Sequence, residues 1–205
     1  MDPSKFISGY VHKPVVNSLI PPVAQAVRRV PLALLPKVSE ELKRMVKEEV
    51  LEPIEASDWV SNMVIVHKSN GSIRICADLS EVNKAIIPDR YPLPTNDELS
   101  QFFAGSKLFE KIDLKWGYLQ VRLHESCQNM TAMITPAGLF KWKRLPFGLC
   151  SAPSNFQKIV AQIIFGIPGV KNLLDDIIIA APTKSEHDYR LECVLQRLVA
   201  QRNYK

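Results

Sequence analysis

Two adjacent carboxylates, Asp175-Asp176, stand between the apolar stretches 170–174 and 177–181. Neighbouring carboxylates repel, and a tight turn more usually pairs one Asp with Gly or Asn. A divalent cation removes that repulsion. Mg²⁺ takes hard oxygen ligands, typically one or two carboxylates plus phosphate oxygens. Two such ions about 3.5–4 Å apart clamp the attacking and leaving oxygens of an in-line phosphoryl displacement. A third carboxylate, Asp113, follows Lys111-Ile112 at the end of another strand-like run. A plainer reading stands beside this one. Asp is a turn residue, so 175–176 also reads as a solvated hairpin turn, and Asp113 alone reads as a cap or surface group.

These residues need elements to position them. Residues 1–36 carry six prolines and read as an extended arm. Over 37–51, Val38, Leu42, Met45 and Val46 recur at helical spacing. The apolar, β-branched runs 59–67 and 73–77 flank Asn70-Gly71, the strongest short hairpin signal. Residues 86–94 read as an extended, proline-rich loop. Thr95 and Glu98 form a capping box before a short helix. Strands are expected at 107–113, 118–123, 131–134 and 139–145. A helix over 151–165 would bury Phe156, Ile159, Val160, Ile163 and Ile164. Strands at 170–174 and 177–181 would frame the Asp pair, and Thr183 and Glu186 would open a last helix. Mixed elements in this order predict an α+β fold.

The chain has 205 residues and a net charge of +5. The first hundred residues carry 12 Lys+Arg against 13 Asp+Glu, and the remainder 14 against 8. A basic second half suits a polyanionic partner, though it is also what a solvated surface looks like. No run approaches the ~18 apolar residues of a membrane span, and Met1-Asp2-Pro3-Ser4-Lys5 opens no signal peptide. A cytoplasmic or nuclear location, without secretion or membrane contact, is expected. Cys76, Cys127, Cys150 and Cys193 are too dispersed for a zinc site or disulfide framework and are expected as buried thiols.

Five segments in order carry a resemblance. They are Ser72-Ile73-Arg74-Ile75-Cys76-Ala77-Asp78-Leu79 with Asn83-Lys84, Tyr91-Pro92-Leu93-Pro94, and Phe109-Glu110-Lys111-Ile112-Asp113-Leu114 through Gly117-Tyr118. Then come Leu145-Pro146-Phe147-Gly148-Leu149 with Ser151-Ala152-Pro153 and Phe156-Gln157, and Leu173-Leu174-Asp175-Asp176. Together they resemble the reverse transcriptase of gypsy-type LTR retrotransposon polyproteins, from about Pro31 onward. The resemblance implies a right-hand polymerase with an extended arm at 1–35, fingers at 36–86 and 122–146, and an antiparallel palm with packed helices at 87–121 and 147–205. It implies RNA-directed DNA synthesis from deoxynucleoside triphosphates on an RNA or DNA primer–template.

Roles follow from the same resemblance. Asp113, Asp175 and Asp176 would be catalytic and hold two Mg²⁺ ions, or Mn²⁺. The main-chain amides from Leu114 to Gly117, past Trp116, would face the phosphates. Lys68 and Arg74 flank the hairpin turn and would fold onto the triphosphate; from local sequence alone they are two solvated charges. Tyr118 would lie under the sugar and exclude a 2′-hydroxyl. Phe147 would line the nucleotide pocket, with packing as its plainer role. Lys141, Trp142, Lys143 and Arg144 alternate along a strand, so one lysine face is expected to meet either solvent or a template backbone.

Two residues depart from the pattern. Leu173 stands where the family usually has Tyr, and Trp116 is larger than the usual residue after the first Asp, enough to crowd the phosphate site. The chain stops after the helix that follows the Asp pair, so a truncated palm without thumb or RNase H is expected. A non-catalytic remnant that keeps the fold and binds nucleic acid or a partner remains the alternative.

Overall fold

The computed structural model describes residues 6–89, 91–92 and 94–201. The start of the arm, Arg90, Leu93 of the 91–94 segment and the last four residues lie outside them. In chain order the elements are β1 (Val11–His12), β2 (Val15–Val16), α1 (Leu35–Lys47), β3 (Leu51–Ile54), β4 (Ser61–His67), β5 (Ile73–Ala77), α2 (Ser80–Ala85) and β6 (Ile86–Ile87). There follow α3 (Asn96–Phe103), β7 (Leu108–Asp113), β8 (Arg122–Leu123), α4 (Glu125–Gln128), β9 (Met133–Thr135), β10 (Gly138–Trp142), α5 (Ala152–Ile164), β11 (Val170–Leu173), β12 (Asp176–Ala181) and α6 (Lys184–Ala200).

Two larger sheets organise these elements. One has five strands in the order β3-β10-β9-β4-β5, with α1 against it. The other has three antiparallel strands, β11-β12-β7, with α5 and α6 packed on it. The Asn70-Gly71 turn forms as expected. Gly71 takes a φ of +77°, and Val66 pairs with Arg74 beside the turn. Thr95 and Glu98 complete their capping box. The five apolar residues expected inside α5 are all buried. Trp142, Phe156, Leu51, Ile75, Met133 and Ile177 belong to one apolar cluster that joins the two sheets.

The arm is fixed at several points despite its prolines. β1 runs parallel to β8, and β2 pairs with β6. Buried Asn62 donates to Gln25 Oε1 at 3.0 Å and to the Ala26 carbonyl at 2.9 Å, and Arg28 meets Asp78 at 2.8 Å. His12 Nε2 lies 2.8 Å from Ser151 Oγ, the residue that precedes α5.

Several expectations are corrected. The strand expected at 118–123 is a 3₁₀ turn, Tyr118–Gln120, followed by the short β8. The turn closes through Gln120 N–H to Gly117 O and Val121 N–H to Tyr118 O, which aims the Tyr118 ring inward. The 131–134 strand begins only at Met133, because Asn129–Thr131 is another 3₁₀ turn. Leu51 belongs to β3 and not to α1, since Glu49 adopts φ +54° and ends the helical run. The helix α2 had no apolar repeat long enough to announce it. Of the cysteines, Cys127 is buried, Cys76 and Cys193 are half-buried, and Cys150 is exposed.

Candidate active site

β7 and β12 pair antiparallel with Asp113 directly opposite Asp176. β11 and β12 pair with Leu173 opposite Asp176, so Leu174 and Asp175 form the turn between them. Leu174 takes φ +54° to close it. The main-chain carbonyl of Asp175 accepts from Leu114 N–H at 3.2 Å. The three carboxylates therefore gather at one end of the three-stranded sheet, two by register and one by the turn.

Gln157 holds this turn from beneath. It sits on α5 and is 2% exposed. Its side-chain amide donates to Asn172 O at 3.0 Å, and its Oε1 accepts from Leu174 N–H at 2.7 Å. The Asn172 side chain returns a bond to Gln157 O at 2.9 Å. An amide that both donates and accepts in the interior fixes the local backbone, because breaking either bond strands a buried polar group. Gln157 was noted in the sequence only as part of a motif. Its partners are 15 and 17 residues away, and no local pattern announces them.

The loop after Asp113 carries the other expected residues. Leu114 is buried. Its amide goes to Asp175 O, and that of Lys115 to Asp113 O, so both are already engaged within the loop. Gly117 lies against the Phe156 ring; a Cβ there would come within 2.8 Å of it. Tyr118 packs between two aromatic rings, with centroids 5.2 Å from Phe147 and 5.3 Å from Phe156. Its hydroxyl faces the Asp175 carboxylate. Burial, then the Asp175 charge, push the phenol up to about 12, so it remains a donor across the neutral range.

Lys68 and Arg74 reach the same loop from the β4–β5 hairpin. Lys68 Nζ lies 4.3 Å from the Trp116 ring centroid. The Arg74 guanidinium lies 5.4 Å from Trp116 and 4.9 Å from Phe147. All ten residues singled out in the sequence thus fall in this region: three carboxylates at the sheet end, two cations on the hairpin, and the loop and aromatic residues between.

Asp175 Oδ1 is buried without a hydrogen-bond partner. Burial raises the Asp175 carboxyl above the usual carboxylate range; the Tyr118 hydroxyl opposes this, and the charges of Asp113 and Asp176 add to it. Lys111 holds Asp176 Oδ2 at 3.1 Å. Among the described residues no three His, Cys, Asp or Glu side chains stand together closely enough to hold a metal ion as they lie. The chemistry of the donors nevertheless suits a hard divalent cation. They are carboxylate oxygens, one buried and unpartnered, on a group whose ionisation its neighbours resist.

The alternating stretch after β9 behaves differently. Trp142 and Arg144 turn inward and are 0% and 2% exposed. Lys141 and Lys143 turn the other way and bind Glu52 at 3.0 and 3.3 Å. Among the described residues no helix is long and apolar enough to cross a membrane.

Known proteins share sequence and fold with this chain. A protein of Caenorhabditis elegans called uncharacterized protein K02A2.6 is 38% identical over 179 residues, 86% of this chain and 14% of that protein. The Tf2-3 transposon polyprotein of Schizosaccharomyces pombe is 29% identical over 163 residues, 78% of this chain and 12% of the polyprotein. The chain thus spans about one seventh or less of these two relatives. The prototype foamy virus protease–reverse transcriptase has the same fold, with a TM-score of 0.87 at 24% identity over 96% of this chain and 26% of that one. A foamy viral protease–reverse transcriptase solved in complex with RNA/DNA hybrid superposes with a TM-score of 0.82 at 22% identity, over 97% of this chain and 26% of that one. The family model for reverse transcriptase (RNA-dependent DNA polymerase) matches residues 66–204, which include Asp113, Asp175, Asp176, Lys68, Arg74, Trp116, Tyr118 and Phe147, and the chain belongs to that family.

Proposed function

We propose that this chain is an RNA-directed DNA polymerase module that adds deoxynucleotides to a primer 3′ end. The observation that carries the reading is the register of β7 on β12, which sets Asp113 against Asp176 with Asp175 in the adjoining turn. In this reading the five-stranded sheet and α1 form the fingers (36–86 and 122–146). The three-stranded sheet with α5 and α6 forms the palm (87–121 and 147–205). The partner is an RNA or DNA primer–template, met in the cytoplasm or nucleus.

Asp113, Asp175 and Asp176 would hold two divalent ions, Mg²⁺ or Mn²⁺. When bound, these supply positive charge at the primer hydroxyl and the triphosphate. The chain's own residues do the rest. Gln157 keeps the Asp175 turn in one conformation. Lys111 lends positive charge to Asp176. Arg74 and Lys68 receive phosphate oxygens, Arg as a fork and Lys as a point charge. The Tyr118 ring, fixed by Phe147 and Phe156, forms a floor for the sugar with no room for a 2′-hydroxyl. Phe147 also carries the Arg74 guanidinium on its face. Such catalysis is positioning and charge stabilisation.

Primer extension on an RNA template with dNTPs and Mg²⁺ or Mn²⁺ tests this. The doubly substituted Asp175→Asn, Asp176→Asn chain should extend at least ~100-fold more slowly, the loss expected when several kcal/mol of charge stabilisation goes. No extension by the unsubstituted chain, where a complete relative works, overturns autonomous polymerase activity.

A further inference from the structure

The rings and cations at this site contain something the proposed polymerase chemistry does not require. Trp116 lies on the loop after Asp113, while Lys68 and Arg74 lie on the β4–β5 hairpin. Both cations rest on the Trp116 ring, at 4.3 and 5.4 Å from its centroid. A third cation, Arg44 of α1, lies 5.6 Å from it. Arg44 is balanced by Glu41 and Glu48, at 2.6 and 2.5 Å. Among the described residues no carboxylate lies within ion-pair distance of Lys68 or Arg74, and Arg74 Nε is buried without a partner. Glu41 attracts Lys68 and Asp175 attracts Arg74 only from beyond ion-pair distance, and like charges without a paired counter-ion should part. Here they converge on an indole face, the strongest neutral surface for a cation.

The backbone shows that the ring is held there at a cost. Trp116 takes φ +61°, a left-handed conformation uncommon for a bulky residue. Burial, followed by the Arg74 charge, lowers the Lys68 ammonium from its ordinary range.

We propose that Trp116 is a positioning residue for the incoming triphosphate: its ring clasps Lys68 and Arg74 and holds the fingers hairpin against the Asp113 loop before any nucleotide binds. The ring substitutes for the missing anion. A triphosphate then meets two cations already gathered, with less order left to impose on binding. The use of the clasp rests on the polymerase reading above; its existence does not.

Two variants separate these. Trp116→Asn removes the ring and suits the left-handed backbone, so the loop is not strained further. Trp116→Phe keeps a weaker π-face. Hydrogen exchange of amides 67–74 is measured first, without nucleotide. Exchange should rise about threefold or more in Trp116→Asn and less in Trp116→Phe. Binding of a dNTP with Mg²⁺ is then measured on a complex with dideoxy-terminated primer–template. Affinity should fall about three- to thirtyfold in Trp116→Asn, the span of a cation–π contact, with Trp116→Phe between. Unchanged exchange in Trp116→Asn overturns the clasp. Equal or tighter nucleotide binding by Trp116→Asn overturns its positioning role and makes the ring an obstacle. Hairpin protection that depends on Trp116, with no nucleotide binding even by the unsubstituted chain, overturns the polymerase reading and with it the use of the clasp.

Discussion

On β10 and the residues after it, Lys141 and Lys143 share Glu52, while the Arg144 guanidinium donates to the carbonyls of Glu49, Leu119 and Glu48 at 3.3, 3.2 and 3.5 Å. On the β4–β5 hairpin, Lys68 and Arg74 lie on aromatic faces with no ion pair among the described residues. Both stretches place basic residues beside aromatic ones. In the first, every charge has an acceptor within the fold, so its energy is spent on holding β10 to the helix–strand junction at Glu48–Glu49. In the second, the acceptors are quadrupoles. These are weaker than carboxylates and are exchanged readily for phosphate oxygens. Cations satisfied by the chain hold the structure together; cations left on rings are available to a ligand.

Paired substitutions break or confirm this contrast, and they carry the largest expected effect. Arg144→Met leaves the buried Leu119 carbonyl and the part-buried bonds to Glu48 and Glu49 without their donor, and should cost about 3 kcal/mol in chemical denaturation. Arg74→Met strands nothing in the interior and should stay within about 1 kcal/mol of the parent. Its dNTP affinity should instead fall about tenfold or more, because a charge-assisted contact is gone. Equal stability losses for the two variants would erase the distinction.

How much of this could be read in the sequence follows the same division. Local signals were sufficient where the physics is local. Asn70-Gly71 specified its hairpin because a tight turn needs residues that tolerate positive φ. Thr95 and Glu98 specified a cap, and the spacing of Phe156, Ile159, Val160, Ile163 and Ile164 specified the buried face of α5. Alternation even placed Trp142 and Arg144 on one side and the lysines on the other. What alternation cannot name is the partner. Glu52 is nearly ninety residues from Lys141, and Gln157 finds Asn172 across a helix–strand contact. The 118–123 strand failed for a related reason. Its residues include the β-prone Tyr118 and Val121, but a 3₁₀ turn places Tyr118 between Phe147 and Phe156, and that packing overrides propensity. The carboxylate trio was legible in its members only; the register that brings Asp113 opposite Asp176 belongs to the sheet.

His12 extends the contrast to pH, with the next largest effect. It is 5% exposed, and burial lowers its pKa to about 4, with the Asp89 charge opposing. The unfolded chain takes up this proton near 6.5 and the folded chain only near 4. The stability contribution is therefore complete above about 6.5, declines as pH falls, and is lost by about 4, a total of about 3 kcal/mol. Denaturation at a series of pH values should show a difference between parent and His12→Gln that changes across this window. A flat difference would mean that burial at this position does not exclude the charged ring.

The smallest effect is at Glu52, and it tests the contrast from the other side. Two lysines hold its carboxyl below the usual range, so their contribution is present above the ordinary Glu pKa and fades as pH falls below it. The Glu52 side chain is 42% exposed, so Glu52→Gln should cost less than about 1 kcal/mol, and less still in high salt. The substitution also removes the carboxylate of β3 that is the one ion-pair partner of Lys141 and Lys143 among the described residues. If a carboxylate is what keeps these lysines structural, releasing them should raise affinity for a primer–template duplex, and the gain should disappear at high salt as counter-ion release predicts. Affinity unchanged at every salt concentration would mean that the lysine face lies away from nucleic acid, and that position in the fold, more than the presence of a counter-charge, decides which cations bind a ligand.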